Sequence, residues 1–277
     1  MNILVLVKQV PDTEKIKLKA GEEFRVEKMN LDMRLNTFDK YAIEEAARIK
    51  DASDDVNIIT MTMGPEPADR AVVESLSMAA DKGYLIWDEK FRGSDSLATA
   101  GIMKAAVKKI EETEGPVDLI LTGRQSNDGS TAQTGIMLAE LLGWNLVTSA
   151  VEVKRSSDAD ILEVTRRLLD GYEAAQTEMP AVVTMTKPDH EVRFPTFKRI
   201  RWANSTEITL LDADVLESAG LDMAKVGREG SNTKVLHVKK PGRSGKNAIV
   251  NVSEGQDPVE AMDELLRMLE EDKILKR

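Results

Sequence analysis

The chain has 277 residues, 42% hydrophobic and 31% charged, a globular balance that suits one large α/β domain or one domain with an extension. A formal charge of −10, with basic runs no longer than residues 198–201 and 239–240, argues against a nucleic-acid partner. The absence of cysteine excludes disulfides, thiol chemistry and iron–sulfur ligation by this chain, and two histidines alone make no typical zinc site.

The opening MNILVLVKQVPD turns polar too soon for a secretory signal and reads as a first strand. No run approaches the roughly 18 apolar residues of a membrane span, so we expect a cytoplasmic protein without one. Ile3–Val7 is a continuous aliphatic strand of the kind buried on both faces. Asp39–Lys50 reads as a helix, with Ala42, Ile43, Ala46, Ala47 and Ile49 on one side and Glu44, Glu45, Arg48 and Lys50 on the other. Val56–Met63 is the next strand, and GPEP opens a helix through Val72, Val73, Leu76 and Ala80. Tyr84–Trp87 is a short strand; SDSLATAGIMKAAVKKI is a helix capped by Ser94 or Asp95. Val117–Thr122 is a strand and Thr131–Leu142 its helix. This alternation predicts an α/β fold, a doubly wound, mostly parallel sheet with right-handed crossovers.

After Trp144 the pattern changes. NLVTSAVEVK, DILEVTRRL and AVVTMTK are three β-type runs without long helices between them, expected as antiparallel edge strands. From about Asn204 the chain is polar and broken at GREGSN, KKPGRSGKN and SEGQD, and closes on the amphipathic DPVEAMDELLRMLEED. Such a tail cannot bury a core of its own. We expect a nucleotide-binding domain over residues 1–203 and a C-terminal arm over 204–277.

In open parallel sheets, ligands collect beyond the carboxyl ends of the strands. Four such ends are visible here: VKQVPD, MGPEP, the SDSLAT helix start and GRQSNDGSTAQTG, Gly123–Gly135. The last two are polar helix starts, whose unpaired N–H groups suit a pyrophosphate. Gly123 and Gly129 permit close backbone approach, and Ser130 and Thr131 add hydroxyls. The loop carries neither the dinucleotide nor the P-loop fingerprint. On the residues alone, a capped surface loop and a phosphate seat both stay open. No side chain is expected to be catalytic, so any activity would come from a bound cofactor.

VKQVPDTEKIK, GRQSNDGSTAQTG, and RFPTFKRI followed by GREGSNTKV resemble the small (beta) subunit of electron-transfer flavoproteins, as do MNLDMRLNTFDKYAIEEAARIKD and MPAVVT. The resemblance spans essentially the whole chain. It implies a heterodimer whose alpha subunit carries one FAD, with residues 204–277 packed on that subunit. It implies backbone contacts from Leu6, Met63 and Gly123, with Lys8 matching beside them. It also implies adenosine or phosphate contacts from Asn36 and from the run Asp128, Gly129, Ser130, Thr131, Ala132, Gln133 and Thr134.

Within the family this pocket holds either AMP or a second FAD that bifurcates electrons. FRGSDSLATAG looks like the segment of the bifurcating members, which makes Ser94, Asp95, Ser96 and Thr99 candidate FAD contacts. NADH would then be the donor, with ferredoxin or flavodoxin as one acceptor and, through the alpha-subunit FAD, a flavin-dependent dehydrogenase as the other. That oxidation of NADH would belong to the complex, and would not be an activity of this subunit alone. Phe197, flanked by Lys198 and Arg199, matches the family's partner-docking anchor. Family members usually read A-I-D-G-D-T at residues 126–131, a proline at Val192, and a lysine-rich stretch where this chain has RWANSTE. These departures point beyond an acyl-CoA dehydrogenase, toward a partner such as a hydroxyacid dehydrogenase. A structural AMP-binding carrier subunit and a stand-alone adenine-nucleotide-binding protein are the competing readings.

Overall fold

The computed structural model describes residues 1–12, 32–53, 55–156, 160–234 and 257–271. Residues 13–17 of the first motif, His237, the 239–240 basic pair and the breaks at 241–256 lie outside the described residues. Two units are distinguished, Met1–Leu236 and His237–Arg277.

In the first unit the elements follow in chain order. β1 (Asn2–Leu6), the short strands β2 (Gln9–Pro11) and β3 (Met33–Leu35), and α1 (Thr37–Asp51) come first. Then come β4 (Asn57–Met63), α2 (Asp69–Met78), β5 (Lys82–Ile86), α3 (Ser96–Glu114), β6 (Leu119–Gly123) and α4 (Thr134–Leu142). β7 (Asn145–Arg155), β8 (Ile161–Arg167), β9 (Tyr172–Glu178), β10 (Ala181–Met185), α5 (Phe197–Ala203), β11 (Thr209–Leu211), α6 (Ala213–Ser218) and α7 (Gly227–Gly230) complete it.

The described residues build a nine-stranded sheet in the order β11-β5-β4-β1-β6-β10-β7-β8-β9. Pairing is parallel from β11 through β7, and antiparallel at β7–β8 and β8–β9. β2 and β3 form a separate antiparallel pair. The sheet is thus doubly wound and mostly parallel, with antiparallel edge strands. Two of the three late runs depart from expectation: NLVTSAVEVK gives β7, parallel to β10 on one side and antiparallel to β8 on the other, and AVVTMTK supplies β10, which lies inside the sheet, parallel to both β6 and β7. Its five residues are fully buried, as a strand covered on both faces requires. β11 pairs with β5, so the first unit extends well past residue 203.

Alternation along β1 divides the core. Ile3, Val5 and Val7 pack with Ala42, Ile43, Ala46 and Ile49 of α1 and with Val72 and Leu76 of α2. Leu4 and Leu6 pack on the other face with Ile102, Ala106 and Ile110 of α3, Leu138 of α4 and Leu216 of α6. Each such fully buried aliphatic side chain contributes roughly 1.5–3 kcal/mol. The polar side of α1 is not solvated as its periodicity suggests. Glu44 and Glu45 are buried, because β7 and the loop before α5 cover them: Val153 N–H donates to Glu45 and Arg193 to Glu44.

In the second unit, α8 (Pro258–Glu271) carries exposed Val259, Met262, Leu265 and Leu266. Among the described residues no helix is long and apolar enough to cross a membrane.

Candidate nucleotide site at the strand-order reversal

From β1 the chain moves outward to β4 and β5, then returns to β6 on the other side of β1. A crevice opens at the carboxyl ends where strand order reverses in this way. Leu6, Met63 and Gly123 end the adjacent strands β1, β4 and β6, so the three expected backbone contacts share one rim.

The rim is stitched by Asn36, the residue before α1, and by Asp39 in its first turn. Asn36 stands at the N-cap, yet its side chain makes no cap hydrogen bond. Its Nδ2 instead donates to Asp39 Oδ1 at 2.8 Å and to the Gln125 carbonyl at 2.9 Å, while its Oδ1 accepts from Asn127 N–H at 3.0 Å. The buried amide is therefore spent on tying the β6–α4 loop to α1. Asp39 accepts from the Lys8 N–H at 2.7 Å and also from the Gly123 N–H. Burial pushes the Asp39 carboxyl up to about 7, against the opposing pull of Asn36, Lys8 and Gly123. Asp39 was missed by the sequence reading because an acid in the first turn of a helix looks like an ordinary dipole complement.

Lys8 Nζ pairs with Asp128 Oδ1 at 2.8 Å, which brings the β1 end and the long loop together. Beyond Asp128 the loop adopts backbone that side chains disfavour: Ser130 and Ala132 have φ of 50° and 54°. Gln133, next in line, is right-handed helical. Alternation of this kind turns successive N–H groups toward one concavity, an anion-binding arrangement. Among the described residues, no hydrogen bond takes up the N–H groups of Thr131, Ala132, Gln133 or Thr134. α4 begins at Thr134 rather than at Thr131, with no side-chain cap from Gln133. Gly129 N–H and the Ser130 hydroxyl turn back to Ser126.

The second helix start approaches the first, with Ser96 Oγ 3.4 Å from Thr131 Oγ1. Its neighbours are engaged elsewhere. Asp95 caps α3 through Ala98 N–H at 2.9 Å and accepts from Thr233 N–H at 2.8 Å. Those two backbone donors help to hold its carboxyl below the usual range against the opposing effect of desolvation. Ser94 donates to the Phe91 carbonyl and accepts from Gly227 N–H. Ser94 and Asp95 thus fasten residues 227–233 to the start of α3, and Thr99 is half-buried in its first turn. Ser96 and Thr131 are the pair brought together.

The expected docking residues lie on α5, which the sequence reading did not identify as a helix. Phe197 is its first residue, with Thr196 Oγ1 accepting from Arg199 N–H at the cap. Phe197 is 83% exposed and Lys198 is exposed. Arg199 is turned inward, donating to the Leu76 and Ala80 carbonyls, with its guanidinium 4.3 Å from the Trp202 ring.

A doubly wound sheet with its polar loops gathered at the reversal point defines a nucleotide-binding α/β protein. The Electron transfer flavoprotein domain matches residues 24–216, and the chain belongs to that family. It is 35% identical over 277 residues to the electron transfer flavoprotein subunit beta of Megasphaera elsdenii, covering 99% of this chain and 100% of the relative. It is 35% identical over 252 residues to the caffeyl-CoA reductase-Etf complex subunit CarD of Acetobacterium woodii, covering 90% and 92%. It is also 33% identical over 270 residues to the acryloyl-CoA reductase electron transfer subunit gamma of Anaerotignum propionicum, covering 96% and 98%. The beta-subunit resemblance carried by the sequence motifs is borne out.

Proposed function

We propose that this chain is the FAD-binding beta subunit of a heterodimeric, electron-bifurcating flavoprotein. The observation that carries the reading is the meeting of two helix starts, with Ser96 and Thr131 hydroxyls 3.4 Å apart beside the uncapped α4. One helix start can seat a single phosphate or a pyrophosphate; a second converging on it adds donors along the length of a dinucleotide. When bound, FAD would accept two electrons from NADH and release them singly, one toward the alpha-subunit FAD and a dehydrogenase, the other toward ferredoxin or flavodoxin.

The chain's own residues bind and orient. The N–H groups of Thr131–Thr134 and the Ser96 and Thr131 hydroxyls receive phosphate oxygens. Lys8 supplies positive charge beside them, and Asn36 and Asp39 fix the loop that presents them. Leu6, Met63 and Gly123 form the floor. No side chain acts as acid or base.

Phe197 and Lys198 dock a flavin-dependent dehydrogenase. The caffeyl-CoA and acryloyl-CoA reductases named in two relatives favour a partner acting on a CoA thioester over a hydroxyacid dehydrogenase. The exposed apolar residues of α8, Val259, Met262, Leu265 and Leu266, pack on the alpha subunit.

A second reading, an AMP-binding carrier subunit, is favoured by the engagement of Ser94 and Asp95 with residues 227–233, which leaves fewer free donors at α3. The test is NADH-driven ferredoxin reduction by the co-expressed heterodimer. It should require simultaneous electron flow to the dehydrogenase. Ferredoxin that stays oxidised while the dehydrogenase is reduced would favour the carrier reading.

A further inference from the structure

Two inward arginines frame two outward phenylalanines. Phe194 is 93% exposed and Phe197 83%. Immediately before Phe194, Arg193 turns into the domain. Its backbone N–H and its Nε each donate to Glu44 Oε2 at 2.9 Å. Its Nη2 donates to Glu44 Oε1 at 3.1 Å and to Asp51 Oδ2 at 2.8 Å. Glu44 is 4% exposed, so this guanidinium is the compensation for a buried carboxylate. In the same loop His190 Nε2 faces Glu45 Oε2 at 3.4 Å, both atoms buried.

On the other side of Phe197, Arg199 donates to the Leu76 carbonyl in the last turn of α2 and to the Ala80 carbonyl just beyond that helix. A cation there complements the negative end of the helix. Ala203 closes α5 against the core. The exposed span is therefore a bridge between two fixed points, one on α1 and one on α2.

We propose that Arg193 and Arg199 are positioning residues that hold the docking segment Phe194–Ala203 in its presented form. The role rests on the docking reading given above. A docking segment already held in shape loses less conformational freedom on binding, so the anchors raise affinity without touching the partner. Steering charge belongs to Lys198 and Arg201, which face solvent.

Amide hydrogen exchange of the co-purified heterodimer tests this. In Arg193→Ala and in Arg199→Ala, exchange across residues 194–203 should rise by about tenfold or more, while β1 and β6 keep wild-type rates. Arg193→Lys, which keeps the charge but loses the fork, should fall between. If Arg193→Ala loosens the whole domain, the paired Glu44→Gln/Arg193→Gln variant leaves no unpaired buried charge and should show the confined rise. Unchanged exchange over 194–203 in folded variants, or a rise shared equally by β1 and β6 in the paired variant, overturns the proposal. Phe197→Ala should leave exchange at wild-type rates. Its failure to slow electron delivery would reject the docking surface while leaving the anchors standing.

Discussion

A Cβ placed on Gly123 would stand 2.2 Å from Asp39 Oδ1 and 2.7 Å from the Phe38 Cβ. The end of β6 and the first turn of α1 therefore meet at a distance only glycine allows. Gly123→Ala must push the buried carboxylate or the strand aside, an overpacking cost of about 1–3 kcal/mol. Urea unfolding should show that loss, and the purified variant should retain less nucleotide. Wild-type stability with full nucleotide content would show that the contact is not tight.

Asp39 also makes stability depend on pH. Its ordinary value is 3.8 and burial raises it to about 7 in the folded chain. Between those values the folded state holds a proton that the unfolded state has released. This contribution is therefore full below about 4 and is lost as pH rises through 7. Asp39→Asn should flatten the fall in unfolding free energy between pH 4.5 and 7 by up to about 1.4 kcal/mol per pH unit. Glu45, also raised to about 7 by burial, leaves a residual slope in that variant. An unchanged slope would mean that Asp39 is ionised throughout.

Ser96 and Thr131 separate the two cofactor readings. A hydrogen bond to a charged group contributes about 1.5–3 kcal/mol, so removing one should weaken binding about tenfold or more. Thr131→Val should lower retention whichever nucleotide is bound. On the FAD reading the phosphates extend to the α3 start, so Ser96→Ala should weaken FAD and spare AMP. Equilibrium dialysis against each nucleotide reads the difference, and equal FAD affinity in Ser96→Ala and wild type would exclude α3 from the site.

Phe197→Ala removes the exposed aromatic side chain proposed as the docking anchor. A hot-spot residue of this type contributes about 2 kcal/mol or more, roughly thirtyfold in affinity. Electron delivery to the dehydrogenase should slow accordingly at limiting concentration, with flavin content and NADH oxidation by an artificial acceptor unaltered. Equal loss in both assays would remove Phe197 from the docking role.

Much of this arrangement was legible in the sequence because the aliphatic runs of β1, β4 and β6 and the periodic helices α1 to α4 are dictated by burial. The long polar loop between β6 and α4 was legible from its glycines and hydroxyl residues. Strand order was harder, since AVVTMTK has the same composition whether it closes an edge or fills the centre. β9, YEAAQTE, is largely exposed and carries no apolar alternation, so nothing in its residues marked it as a strand. α5 is short and basic, with Ala203 its buried contact. Glu44 and Glu45 read as a solvated face because their partners, Arg193 and Val153, lie more than a hundred residues away.

The central claim is tested most directly by extracting and counting the nucleotides of the heterodimer purified with its alpha subunit. Two FAD per heterodimer and no AMP is the result expected if α3 and α4 together hold a dinucleotide. One FAD and one AMP would contradict it.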